Sequence, residues 1–190
     1  MNAQETAPLT VAEYLEIERR LETRNEYWNG RMAEMPHGNI LHGQIISNLI
    51  GHLGLQLKKE RRCLFMLGLR LHVVSTGLYT YPDLAVVCEE TEVEDQESDT
   101  FLNPALIVEV FSPATEARDR GKKFEHYRSI DSLTEYLLVS QTEPRVDQYL
   151  RQDGGHWLFT AVAGLDRRIS LPSIQCELSL AEVYDKVDLV

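Results

Sequence analysis

Three features of the sequence predict an α/β (α+β) fold: a mixed β-sheet core flanked by helices, with an N-terminal helix plus hairpin and a C-terminal hairpin. LIVEVF (106–111) and EYLLVS (135–140) are short apolar runs of the kind that form strands covered on both faces. A helix-length segment lies between them, and strand, helix, strand in that order implies a right-handed crossover joining a parallel pair. Turn signals at Asn29-Gly30 and Asp153-Gly154-Gly155 then place a hairpin near each end of the chain. The expected organisation is one domain over 1–190. Its core spans about 38–142, its N-terminal helix and hairpin 10–36, and its C-terminal hairpin and helix 143–190.

The elements follow in order. Thr10-Val11-Ala12-Glu13 has the form of a capping box and opens a helix to about residue 22. NEYWNGRMAEM is a hairpin. From Asn39 to about Lys59, apolar residues at 41, 45, 46, 49, 50, 53 and 57 mark one face of a long helix. RRCLFMLGLRLHVVS (61–75) predicts one or two strands with a bend at Gly68. A strand follows Pro82, an acidic loop connects it to LIVEVF, residues 114–130 form a helix, and Ser179 with Glu182 caps a final helix. There are no internal repeats.

Composition bounds the function. At 43% hydrophobic and 26% charged residues the chain is an ordinary soluble globular protein, with no apolar run near membrane-spanning length. MNAQETAPLT lacks the basic and then apolar regions of an export signal. Cys63, Cys88 and Cys176 are odd in number and far apart, forming neither a disulfide framework nor a zinc spacing, so a cytoplasmic location is expected. The net charge of −11 weighs against a nucleic-acid partner. However, EETEVEDQESD (89–99) supplies seven of those negative charges and is expected to be a solvated connector.

Two carboxylates interrupt the apolar strands: Asp83, directly after Pro82, and Glu109, in the middle of LIVEVF. Burying either costs several kcal/mol unless something pairs with it. If the two strands are neighbours, both carboxylates converge on one point, where a cation between them relieves their repulsion. Oxygen ligands with open positions suit Mg²⁺ or Mn²⁺. On the following helix Phe124, Tyr127 and Ile130 mark the inward stripe. Lys123 lies about 40° from its centre and Lys122 about 140° away, so Lys123 points to the sheet and Lys122 to solvent. A metal, paired carboxylates and an inward lysine are the parts needed to hydrolyse a phosphodiester.

The string YPDLAVV, ALIVEVFSPAT, RDRGKKFEHYR, EYLLV, together with NEYWNGRMAEM and the helix beginning near His42, resembles the Uma-type restriction endonucleases of the PD-(D/E)XK nuclease superfamily over about residues 10–160. The resemblance implies a restriction-endonuclease-like core, with Asp83 and Glu109 as metal ligands, helped by the backbone carbonyl of Val110 or Phe111. The superfamily lysine often sits two residues beyond the acid, where this chain has Phe111. In the Uma-type pattern it comes from the helix, matching Lys123. It further implies a Mg²⁺- or Mn²⁺-dependent endonuclease acting on DNA.

Four other residues are possible accessories. His42 begins the stripe of the long helix and is expected first as a core or capping residue. Tyr127, one turn beyond Lys123, is expected in the packing. Glu26 precedes the Asn-Gly turn, where a salt bridge is the plainer role, and Arg120 is a phosphate contact or a surface pair. DNA affinity needs basic surface, and KKERR (58–62) is the densest basic cluster. A homodimer bringing it together with the RGKKF helices is therefore expected. A non-catalytic nucleic-acid-binding or assembly module is the alternative. A glycosidase with two carboxylates ranks last, because only two tryptophans are available as sugar platforms.

Overall fold

A computed structural model of the protein describes residues 7–58 and 63–189. The main sheet has six strands in the order β11-β10-β9-β8-β6-β3. They are β3 (Leu64–Met66), β6 (Leu84–Val87), β8 (Leu106–Phe111), β9 (Glu135–Ser140), β10 (Arg145–Arg151) and β11 (Trp157–Ala163). β8 and β9 run parallel, as their crossover requires, and β6 lies antiparallel to β8. Every residue of β6, β8 and β9 is buried, which is why these runs do not alternate in polarity.

Each face of the sheet has its own core. Leu84, Val86, Leu106, Val108, Leu137 and Val139 pack under α2 (Ile40–Leu57), whose stripe is Ile45, Leu49, Leu53 and Leu57. Ala85, Val87, Ile107, Phe111, Tyr136 and Leu138 face the opposite way, toward Tyr127, Ile130 and Leu133. Truncating any of these leucines to alanine would cost about 2–5 kcal/mol. α1 (Val11–Glu18) opens on the expected capping box: Glu13 N–H donates to Thr10 Oγ1 and Thr10 N–H to Glu13 Oε2. β1 (Asn25–Trp28) and β2 (Arg31–Glu34) turn on Asn29 and Gly30, both at positive φ (50° and 77°) as a two-residue hairpin turn demands. The last helix, α5 (Leu180–Val183), follows Ser179, but that side chain makes no capping hydrogen bond. Among the described residues no helix is long and apolar enough to cross a membrane.

Three expectations need correction. The described residues form three sheets, where the sequence suggests a single mixed sheet. β1, β2, β4 (Arg70–Val73), β5 (Leu78–Thr80) and β7 (Thr100–Phe101) form a second sheet ordered β2-β1-β5-β4-β7, and β12 (Arg168–Leu171) pairs with β13 (Cys176–Ser179). The bend at Gly68 is real, at φ 66°, and it sends β3 and β4 into different sheets. The acidic segment is not a free connector. Arg19 holds Asp95 and Asp99 at 2.7 and 2.9 Å, Arg70 holds Asp99 at 2.8 Å, and His72 lies 3.0 Å from Glu94. These partners come from two separate parts of the chain, the end of α1 and strand β4, so local composition does not reveal them.

Cys63 and Cys88 are joined in a disulfide, with Cα atoms 3.9 Å apart. Continuing the β3–β6 register by one residue sets them opposite each other, although 25 positions separate them in sequence. Cysteine count alone cannot see such a neighbour, and the link between that count and a reducing compartment loses its premise. Titration of the denatured, unreduced protein with a thiol reagent should detect Cys176 alone, and reduction should release the other two thiols. Full reactivity before reduction would refute the bridge.

Candidate active site

Register and side-chain parity bring the two interrupting carboxylates together. β6 and β8 pair Leu84 with Val108 and Ala85 with Ile107, so the next step sets Asp83 level with Glu109. Asp83 shares a face with Ala85 and Val87, and Glu109 shares it with Ile107 and Phe111. Asp83 is fixed from the neighbouring strand, where Val110 N–H donates to its Oδ2 at 2.8 Å. Its Oδ1 lies 3.3 Å from His42 Nε2. Glu109 is 2% exposed. Its Oε1 accepts from Lys123 Nζ at 2.9 Å and from the Tyr127 hydroxyl at 2.8 Å. Its other oxygen, Oε2, accepts no hydrogen bond among the described residues.

Lys123 arrives from a helical segment with an unusual middle. α3 (Glu116–Arg118) and α4 (Phe124–Tyr127) are joined through a π-helical turn, Asp119–Lys123. Asp119, Lys123 and Tyr127 are spaced four apart. In an unbroken α-helix each such step passes a full turn by about 40°, and the three side chains would fan out. A turn closed from i to i+5 holds more than four residues, so the first step falls short of a full turn and the second overshoots it. The drift nearly cancels. All three side chains are buried, and Lys123 Nζ sits 3.6 Å from Asp119 Oδ1. Lys122 is exposed, as the stripe predicts.

Two residues that sequence reasoning missed belong here. Asp119 escapes any reading of 114–130 as uninterrupted helix; Gly121 inside that segment is the signal of a break. Gln141 closes the far end of β9, its Nε2 donating to the Val110 carbonyl at 3.2 Å and lying 3.4 Å from His42 Nδ1. His42 is set in place by the Asn39 cap of α2, whose Oδ1 accepts the His42 N–H at 2.9 Å.

The accessory residues divide. His42 lines the same cleft as Asp83, Glu109, Val110, Asp119 and Lys123, a cavity of about 520 Å³. Tyr127 touches the site through Glu109. Glu26 stays behind the cleft wall, accepting from Thr80 Oγ1 at 2.6 Å and pairing with Arg118, which does line the cleft. Arg120 turns away: it pairs with Glu116 at 2.8 Å and with the fully buried Asp147, and stacks on Phe111. An arginine there neutralises Asp147 and is not available to phosphate. Of the KKERR cluster, Lys58 ends α2, and residues 59–62 lie outside the described residues.

Charge at the site is unbalanced. Burial pushes the Glu109 carboxyl up to about 8; Lys123 opposes this, while Asp83 and Asp119 add to it. Burial pulls the Lys123 ammonium down, but Glu109, Asp119 and Asp83 outweigh it and hold Lys123 above its usual range. Burial likewise raises Asp83, yet the His42 hydrogen bond and charge, aided by Lys123, leave it lowered; His42 in turn is raised by that hydrogen bond. Three carboxylates thus face one ammonium and one imidazole. Among the described residues no three His, Cys, Asp or Glu side chains form a ready metal cage. The oxygen set on offer is the two carboxylates and the Val110 carbonyl.

Fold and site together define an α+β protein of nuclease-like architecture, with a carboxylate–amine cluster at the end of its central strand pair. The chain belongs to the Uma2 family, described as "Putative restriction endonuclease", whose model matches residues 11–182. Two relatives from Synechocystis sp. are similar to it. The uncharacterized protein slr1290 is 35% identical over 93% of this chain and 91% of its own, and the uncharacterized protein sll1609 is 32% identical over 86% and 93%. A crystal structure of a putative nuclease belonging to DUF820 from Anabaena variabilis shares the fold, with a TM-score of 0.76 and 21% identity over 93% of this chain and 98% of that one.

The Glu109 shift has a testable sign. A carboxyl whose pKa rises on folding binds its proton more tightly in the folded state. The resulting stability is complete below its usual 4.5 and is lost as pH rises through about 8. In metal-free buffer the wild-type melting temperature should therefore fall relative to Glu109→Gln across that window. A constant difference between the two proteins would show that Glu109 titrates normally.

Proposed function

We propose that this protein is an endonuclease that hydrolyses DNA phosphodiester bonds with the help of Mg²⁺ or Mn²⁺ held by Asp83 and Glu109. One observation carries the proposal: a carboxylate at the entry of β6, a carboxylate within the adjacent antiparallel β8 and a buried lysine from the next helical segment meet in a single cleft. Membership of the Uma2 family supports the same reading.

The residues fit a hard divalent cation. Asp83, the open Oε2 of Glu109 and the Val110 carbonyl are all oxygen donors, and their small number leaves room for the waters that Mg²⁺ keeps. A dipositive charge beside Glu109 also answers the excess of carboxylate over ammonium that raises it. When bound, the ion supplies positive charge for a phosphate oxygen and lowers the pKa of a water.

The protein's own side chains do the rest. His42 keeps Asp83 ionised, and Tyr127 holds Glu109 at a fixed orientation. Lys123, protonated and pinned between Glu109 and Asp119, cannot serve as a base at neutral pH. It acts as a fixed cation that orients the attacking water and offsets the charge growing on the phosphoryl oxygens. Water oxygen bonds to phosphorus, one P–O ester bond breaks, the water's proton passes to solvent, and the departing alkoxide is protonated in turn.

Incubation with supercoiled plasmid tests the reading. The wild type should nick it with Mg²⁺ or Mn²⁺ and stop when the metal is chelated. Asp83→Ala, Glu109→Ala and Lys123→Ala should each lower the rate by about 10² or more. Retarded but uncut plasmid at every metal concentration would instead identify a binding module.

A further inference from the structure

The six-stranded sheet ends on β11, WLFTAVA, and this edge has none of the usual protection. Natural sheet edges are short, or carry charges, prolines or bulges that discourage another strand from pairing. The opposite edge, β3, is three residues long, and in the second sheet β7 has two residues while β2 carries Arg31 and Glu34. β11 has seven residues, no charge and no proline, and Leu158 and Phe159 are 53% and 48% exposed.

The register shows which backbone groups are free. Gln152 N–H donates to the His156 carbonyl, and β10 and β11 continue in that pairing. Hydrogen-bonded pairs alternate along an antiparallel ladder, so Leu158, Thr160 and Val162 bond to β10. The N–H and C=O groups of Trp157, Phe159, Ala161 and Ala163 point outward. Among the described residues β11 pairs with no other strand.

The side chains are complementary to themselves. The large residues Trp157, Leu158 and Phe159 precede Thr160, and the smaller Ala161, Val162 and Ala163 follow it. Two copies paired antiparallel about Thr160 set Phe159 against Ala161, Leu158 against Val162 and Trp157 against Ala163, twice over. The outward groups then make about eight inter-chain backbone hydrogen bonds. A two-fold contact needs just such a self-complementary patch. In a chain of net charge −11, a neutral strand is also where two copies repel least.

We propose that β11 is the seam of a homodimer, joining two six-stranded sheets into one through antiparallel pairing centred on Thr160. The inference stands apart from catalysis. Light scattering of the full chain after size exclusion, over a range of loading concentrations, should give twice the chain mass. Ala161→Pro removes an outward N–H and leaves the β10 pairing intact, so it should give the mass of one chain with an unchanged circular dichroism spectrum. Thr160→Glu sets two like charges across the axis and should do the same, while Thr160→Ser should stay dimeric. Should Ala161→Pro misfold, Thr160→Glu decides alone. A wild type of single-chain mass at every concentration, or a folded Thr160→Glu that remains dimeric, would overturn the seam.

Discussion

A carboxylate in the middle of a strand buried on both faces must be answered by its surroundings, and the surroundings of Glu109 are organised by that need. Leaving it unpaired would cost several kcal/mol. The chain responds with Lys123 Nζ and the Tyr127 hydroxyl on one oxygen and leaves the other open. Asp83 on the neighbouring strand and Asp119 on the π-turn then make the cluster more acidic than two cations can balance. A purely structural ion pair would gain nothing from extra carboxylates at its flank. On the proposed reading, the excess is the resting charge of a site that receives a further positive charge.

Scaffolding around this cluster is redundant. Tyr136 holds the Asp119 carbonyl through its hydroxyl at 3.1 Å, and its ring joins Phe124, Tyr149 and Trp157 in one aromatic group beneath the helical segment. Glu26, held by Thr80 within the second sheet, ties Arg118 to that sheet. The π-turn, whose hydrogen bonds are less favourable than those of an α-helix, is thus held from both ends. That is what allows it to spend regularity on aligning Asp119 with Lys123.

The elements legible in the sequence were those with strong local signals. The capping box of α1, the Asn-Gly hairpin and the long stripe of α2 each follow from a few adjacent residues, and so do the parallel β8–β9 pair and the inward turn of Lys123. What escaped depends on partners brought from afar. The split of β3 and β4 between two sheets, the Cys63–Cys88 bridge and the docking of the acidic segment on Arg19 and Arg70 have no local signature. Arg120 and Asp119 show the limit within the site. As neighbours their side chains leave the helix about 100° apart, one toward Asp147 and the other toward Lys123, and the π-turn decides which of the two stays in line with Lys123.

The connector Ser112-Pro113-Ala114-Thr115 acts as a ruler. Ser112 N–H donates to Thr115 Oγ1 at 3.1 Å, and the Ser112 carbonyl accepts from the N–H groups of both Thr115 and Glu116, so its span is rigid. Acid and amine thus ride on separate pieces whose offset this bend sets. One inserted residue leaves every polar group present and still draws acid and amine apart. Among related sequences, constancy of that interval should say more about competence than retention of a lysine by itself.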